Sequence, residues 1–141
     1  MKKILIINSN YYKDISRNLV INAKKRILGN KLKVSILDVP GVYEIPIAIR
    51  RNINKFDGFI ALGCVIKGQT PHFDFICSST FSSILDLSVN FNKPIGNGII
   101  TALNLKQALS RSVKSNIKKP NKGSEAANAV VLILENEPKK I

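Results

Sequence analysis

Tryptophan is absent, histidine occurs once and cysteine twice. One imidazole and two thiols are too few soft ligands for a zinc cluster, so no metal is expected. Cys64 and Cys77 come without a secretory leader, which predicts two reduced thiols in a cytoplasmic protein rather than a disulfide. Acidic residues are scarce as well, nine against 22 Lys and Arg, leaving a formal charge of +13. A surplus of that size raises nucleic acid or an anionic membrane as a partner. The lysines are dispersed, though, and are not interleaved with aromatics on one strand, so neither nucleic acid nor membrane is expected. Long apolar runs are missing too: none approaches the roughly 18–20 residues of a bilayer span. In "MKKILIINSN" the apolar stretch stops after four residues with no small-residue cleavage site following, which reads as a first β-strand. What is present, 45% hydrophobic residues in 141, suits one domain over residues 1–141 with a single core.

Periodicity along the chain alternates between the two kinds of element. Residues 3–8 read as a buried strand, and Ile15, Leu19, Ala23 and Ile27 recur every four residues before Gly29, a helix with a glycine stop. "LKVSIL" is a second strand, Pro40-Gly41 a turn leading into a short helix, and "FDGFIAL" a third strand. A long helix is expected over 71–89, with Thr70 as N-cap and Pro71 at the first helical position. "PIGNGIIT" gives a fourth strand, and two helices follow at about 103–114 and 125–135. Strands alternating with helices imply parallel pairing, hence an α/β fold: a three-layer α/β/α sandwich with a four-stranded parallel sheet, flavodoxin-like. Ligands in such sheets sit beyond the carboxyl ends of the strands, at "SNYY", "PGVYE", "GCVIKGQTPH" and "TALN".

The third of these comes close to a phosphate-cradling loop. Gly63 and Gly68 have the spacing of G-x-x-x-x-G-K-[ST], but Gln69 occupies the position of the phosphate-bridging lysine, and Lys67 comes two residues early. What survives is a glycine loop running into a helix N-terminus, whose free N–H groups and dipole favour an anion, or else a tight turn with no ligand. His72 falls in the first turn of that helix, where the dipole disfavours an imidazolium; it either shuttles protons beside an anion or merely packs. Glu44 is a ligand acceptor or a helix-start charge, and Tyr11 and Tyr12 are stacking surfaces or surface aromatics. Arg111 is a bidentate phosphate ligand or an offset to a helix dipole. Singly, these residues support only an α/β protein with a small-anion site.

In order, "PGVYEIP", "ALGCVIKGQTPHFDF", "PIGNGIIT", "QALSR" and "NKGSEAA" resemble the successive signature blocks of the lumazine synthase family, over nearly the whole chain. The resemblance implies a transferase of riboflavin biosynthesis. Such an enzyme condenses 5-amino-6-(D-ribitylamino)uracil with 3,4-dihydroxy-2-butanone 4-phosphate to 6,7-dimethyl-8-ribityllumazine, phosphate and water. It implies no cofactor, because amine addition, phosphate loss, enolisation and ring closure need positioning, proton transfer and an anion site. Position by position, Tyr11 matches the aromatic that stacks on the pyrimidine, and Val42, Tyr43 and Glu44 the ribitylaminouracil segment. Cys64, Val65 and Ile66 match the strand end whose backbone pairs with the pyrimidine edge, and Asn97 the position that reaches the pyrimidine from a neighbouring subunit. Gln69, Thr70, Arg111 and Lys122 match the butanone-phosphate contacts, and His72 the proton-transfer residue. Three positions depart from the family pattern: Tyr12 where Asn is usual, Asn97 where an aromatic is common, and Ser110 where Glu is frequent. The expected partners are the two small molecules and other copies of the chain, with active sites at subunit interfaces and an association with riboflavin synthase. A lengthened connection between Arg111 and Lys122, carrying Pro120, points to a free pentamer over a sixty-subunit shell.

Overall fold

The computed structural model describes residues 1–113 and 121–141. Four strands, β1 (Lys2–Ser9), β2 (Leu32–Val39), β3 (Gly58–Ile66) and β4 (Ile95–Ala102), form one sheet in the order β2-β1-β3-β4, every neighbouring pair parallel. Five helices connect and follow them: α1 (Lys13–Ile27), α2 (Ile45–Asn52), α3 (His72–Phe91), α4 (Leu105–Ser112) and α5 (Lys122–Glu135). This is the expected flavodoxin-like three-layer α/β/α sandwich. Its central strands are the ones whose sequence is apolar on both faces: Ile4 to Ile7 of β1 and Phe59 to Leu62 of β3 are buried without interruption.

Two apolar layers hold the sandwich together. On one face Ile4, Ile6, Ile60 and Leu62 meet Ile15, Leu19, Ala23 and Ile27 of α1 and Ala126, Ala127, Val130 and Val131 of α5. On the other, Leu5, Ile7, Phe59, Ala61 and Ile99 pack on Ile45, Ala48 and Ile49 of α2 and Ile84 of α3. The four-residue period read from the sequence of α1 is thus its buried stripe. Helix α5 lies close on β4 because Gly96 has no side chain; a Cβ there would strike the Ala126 carbonyl and crowd Val130.

The boundaries differ from expectation in instructive places. Strand β3 runs on through Gly63, Cys64, Val65 and Ile66, paired with Ile99 to Ala102 of β4, so the first half of the supposed glycine loop is strand. The loop is confined to residues 67–70. Thr70 is not the N-cap of α3: Pro71 is, its carbonyl accepting from Asp74 N at 3.1 Å and Phe75 N at 3.3 Å, so that His72 is the first helical residue. Helix α3 also continues to Phe91, where Asn92 adopts the left-handed conformation (φ 52°) and ends it. Helix α4 starts two residues later than expected, capped by Asn104, whose side chain accepts from Gln107 N at 2.9 Å. Helix α5 starts three residues earlier, at Lys122, because Asn121 caps it. The expected extension of α4 to Lys114, and the connection with Pro120, fall outside the described residues.

Candidate functional site

The sheet order reverses direction between β1 and β3, and at the carboxyl ends of those strands the crevice between diverging connections opens into a cleft of about 640 Å³. Nine of the candidate residues singled out from the sequence line it: Tyr11, Tyr12, Val42, Tyr43, Glu44, Cys64, Val65, Ile66 and His72. They arrive from three strand ends. Tyr11 follows β1, is 73% exposed, and stands edge-on to Tyr12 with ring centroids 5.0 Å apart, leaving a broad aromatic surface beside the cleft. Val42, Tyr43 and Glu44 form a single 3₁₀ turn after β2, closed by Glu44 N donating to the Gly41 carbonyl at 3.2 Å. Cys64 to Ile66 end β3, and His72 opens α3, exposed at the rim. At the floor, Gly63 allows a close approach: a Cβ would come within 2.9 Å of both Ser9 Cβ and Val42 Cγ2.

The floor is chemically neutral. Burial pushes the Cys64 thiol up to about 11, and burial, reinforced by Cys64 and Tyr11, raises the Tyr12 hydroxyl above its ordinary value. Neither group therefore offers an anionic nucleophile near neutrality. Both cysteines are free thiols. Among the described residues no cluster of three or more His, Cys, Asp or Glu could hold a metal, and no helix is long and apolar enough to cross a membrane.

Asn97, Arg111 and Lys122 are not part of this cleft. They line a second one, of about 390 Å³, on the far side of β3, along the edge strand β4 and between the end of α4 and the start of α5. Here the electrostatics are cationic. Arg111 is tied to the sheet by Nη1 donating to the Thr101 carbonyl at 2.9 Å, one of five guanidinium donors. Lys122 opens α5, where the helix dipole disfavours a cation, and Glu125 at 3.7 Å offsets that cost. Both cations and the α5 N-terminus thus converge on one edge of the sheet. Asn97 is folded onto its own strand, its Oδ1 accepting from Ile99 N at 3.0 Å. Gln69 and Thr70 line neither cleft; they are exposed on the loop before α3.

The sequence reading missed the residue that organises the second cleft. Asn121 is fully buried and bridges the two helices: its Oδ1 accepts from Gly123 N (2.8 Å) and Ser124 N (3.1 Å), while Nδ2 donates to the Ser112 (2.8 Å) and Val113 (2.9 Å) carbonyls. An Asn just before an apolar-periodic run was the available signal for a cap. Nothing local announced its reach back to α4.

The profile of the 6,7-dimethyl-8-ribityllumazine synthase family matches residues 1–137. Curated proteins bearing that name include one from Methylorubrum populi, 36% identical with 94% of this chain and 80% of the relative covered. Another, from Campylobacter jejuni subsp. doylei, is 38% identical with 94% and 87% covered, and one from Campylobacter curvus is 35% identical with 94% and 86% covered. The ordered blocks, the cleft at the reversal point of the sheet and the match over nearly the whole length agree: the chain belongs to the 6,7-dimethyl-8-ribityllumazine synthase family.

Proposed function

We infer that the chain condenses 5-amino-6-(D-ribitylamino)uracil with 3,4-dihydroxy-2-butanone 4-phosphate, releasing 6,7-dimethyl-8-ribityllumazine, phosphate and water, the penultimate step of riboflavin biosynthesis. One observation carries this reading beyond family membership. The residues that suit a neutral heterocycle and the cations that suit a phosphate, Arg111 and Lys122, line two separate clefts of one chain. In the first cleft Tyr11 stacks on the ring, the strand-end backbone of Cys64 to Ile66 pairs with its edge, and Glu44 receives ribityl hydroxyls. His72, at the rim, moves the protons of amine addition, enolisation and ring closure. In the second, Arg111 and Lys122 hold the phosphate, with Asn97 facing the pyrimidine.

The second cleft flanks the outer edge of β4, where a neighbouring copy can bring up its own first cleft. A working site then combines both halves, with Gln69, Thr70 and the N–H groups at the start of α3 closing on the phosphate from the heterocycle side. The protein is accordingly a homo-oligomer, a pentamer rather than a larger shell, acting in the cytoplasm. The chemistry asks for held geometry and proton transfer only. Mixing purified protein with both substrates should accelerate lumazine absorbance and fluorescence above the uncatalysed rate; no acceleration would refute the activity. Sedimentation at working concentration tests the assembly, and a monomer with full activity would refute the composite site.

A further inference from the structure

We propose that the Ser9 hydroxyl is a binding contact for the polar edge of the pyrimidine, a role that rests on the function just proposed. Ser9 is the last residue of β1, 2% exposed, at the floor of the first cleft and directly at the reversal point of the sheet. Its Oγ has no hydrogen-bond partner. A buried hydroxyl left unpaired is costly, and most native structures avoid it. Only one other buried side-chain group among the described residues shares that condition, Thr80 Oγ1 on α3, which faces a different groove.

Ser9 lines the cleft and its hydroxyl has no existing hydrogen bond to give up. Turning one bond carries a serine Oγ among three staggered positions, with no movement of backbone. The neighbouring residue is Gly63, where a Cβ would lie 2.9 Å from Ser9 Cβ and 3.5 Å from Oγ; with no side chain there, β3 packs directly against the serine and contributes no hydrogen-bonding group of its own side chain. A serine hydroxyl both donates and accepts, which suits a ring edge that alternates carbonyl and N–H groups. The other floor groups, Cys64 and Tyr12, are kept protonated by burial, so the hydroxyl competes with no charge for that edge. The first cleft thus holds its polar contact unpaired until the heterocycle arrives, and the affinity gained includes relief of an unmet hydrogen bond.

The test compares Ser9→Ala with Thr80→Val, which removes the other unpaired hydroxyl. For Ser9→Ala, KM for the pyrimidine and Kd for the lumazine product should rise roughly three- to tenfold, with KM for the butanone phosphate and kcat unchanged. Its melting temperature should hold or rise, since the substitution deletes a group that has no partner in the free protein. Thr80→Val should leave both KM values unchanged. A pyrimidine KM equal to that of the unmodified protein, equal rises for both substrates, or the same effect from Thr80→Val would each overturn the assignment. If the unmodified protein neither accelerates the condensation nor binds the lumazine, the functional reading fails and the Ser9 role with it. If it does both and Ser9→Ala is indistinguishable from it, Ser9 alone is wrongly assigned.

Discussion

Replacing Asn121 with alanine should unfasten the second cleft without touching the first. The side chain is fully buried and makes four hydrogen bonds to described residues, two that cap α5 and two that hold the Ser112 and Val113 carbonyls at the end of α4. Losing an Asn cap costs about 1 kcal/mol, and each of the two donor bonds to backbone contributes about the same, giving about 3 kcal/mol in all. With an unfolding entropy of roughly 0.3 kcal/mol/K for a chain of this size, the melting temperature should fall by about 10 °C. Thermal and urea unfolding at fixed protomer concentration would measure it, with the urea slope unchanged. Asn121→Asp keeps both acceptor bonds and loses both donor bonds, so it should retain the α5 cap and recover part of the loss. Because Arg111 and Lys122 sit on either side of this bridge, KM for the phosphate substrate should rise in Asn121→Ala while KM for the pyrimidine holds. A melting temperature within about 2 °C of the parent would refute the energetic reasoning. Loss of affinity for both substrates together would refute the separation of the two clefts.

Arg111→Ala should weaken the phosphate substrate roughly ten- to hundredfold, the value of a charge-assisted bond, with little change for the pyrimidine; equal losses in steady-state kinetics would make the arginine structural. His72→Ala should lower kcat roughly ten- to hundredfold with binding largely kept, because positioning supplies much of the acceleration, and an unchanged rate would remove His72 from the mechanism. The buried Cys64 thiol, raised from 9.0 to about 11, binds its proton more tightly folded than unfolded, so its contribution to stability is intact below pH 9 and lost as pH rises through about 11. Denaturant titrations between pH 8 and 11 should show this loss in the parent and a smaller one in Cys64→Ala; identical profiles would contradict it.

Much of the fold was legible because its signals are local. The apolar runs of β1 and β3 can only be strands buried on both faces, and the four-residue stripe of α1 can only be a helix lying on them. The errors came where tertiary pairing overrode local chemistry. Gly63 and Gly68 looked like the ends of a loop, yet β4 extends far enough to keep Gly63 through Ile66 in the ladder. Thr70 and Pro71 offered a standard cap and first helical residue, and the chain took the proline carbonyl as the cap instead. Asn121 read as an ordinary polar residue because the carbonyls it binds lie eight and nine residues back in the chain, beyond the reach of any helix-cap pattern.

For the site, the order and identity of the residues came from the sequence alone. Residue types and motif spacing are one-dimensional, and they carried Tyr11, Glu44, His72, Arg111 and the family resemblance without coordinates. Their grouping could not be read that way. The resemblance implied sites at subunit interfaces without saying which residues share a cleft within one chain; the strand order puts β3 between the cleft lined by Tyr11, Glu44 and His72 and the one lined by Asn97, Arg111 and Lys122. The unpaired Ser9 hydroxyl is equally invisible in one dimension. A serine at a strand end is ordinary, and only the packing of Gly63 and Val42 around it determines that its oxygen is buried with no partner.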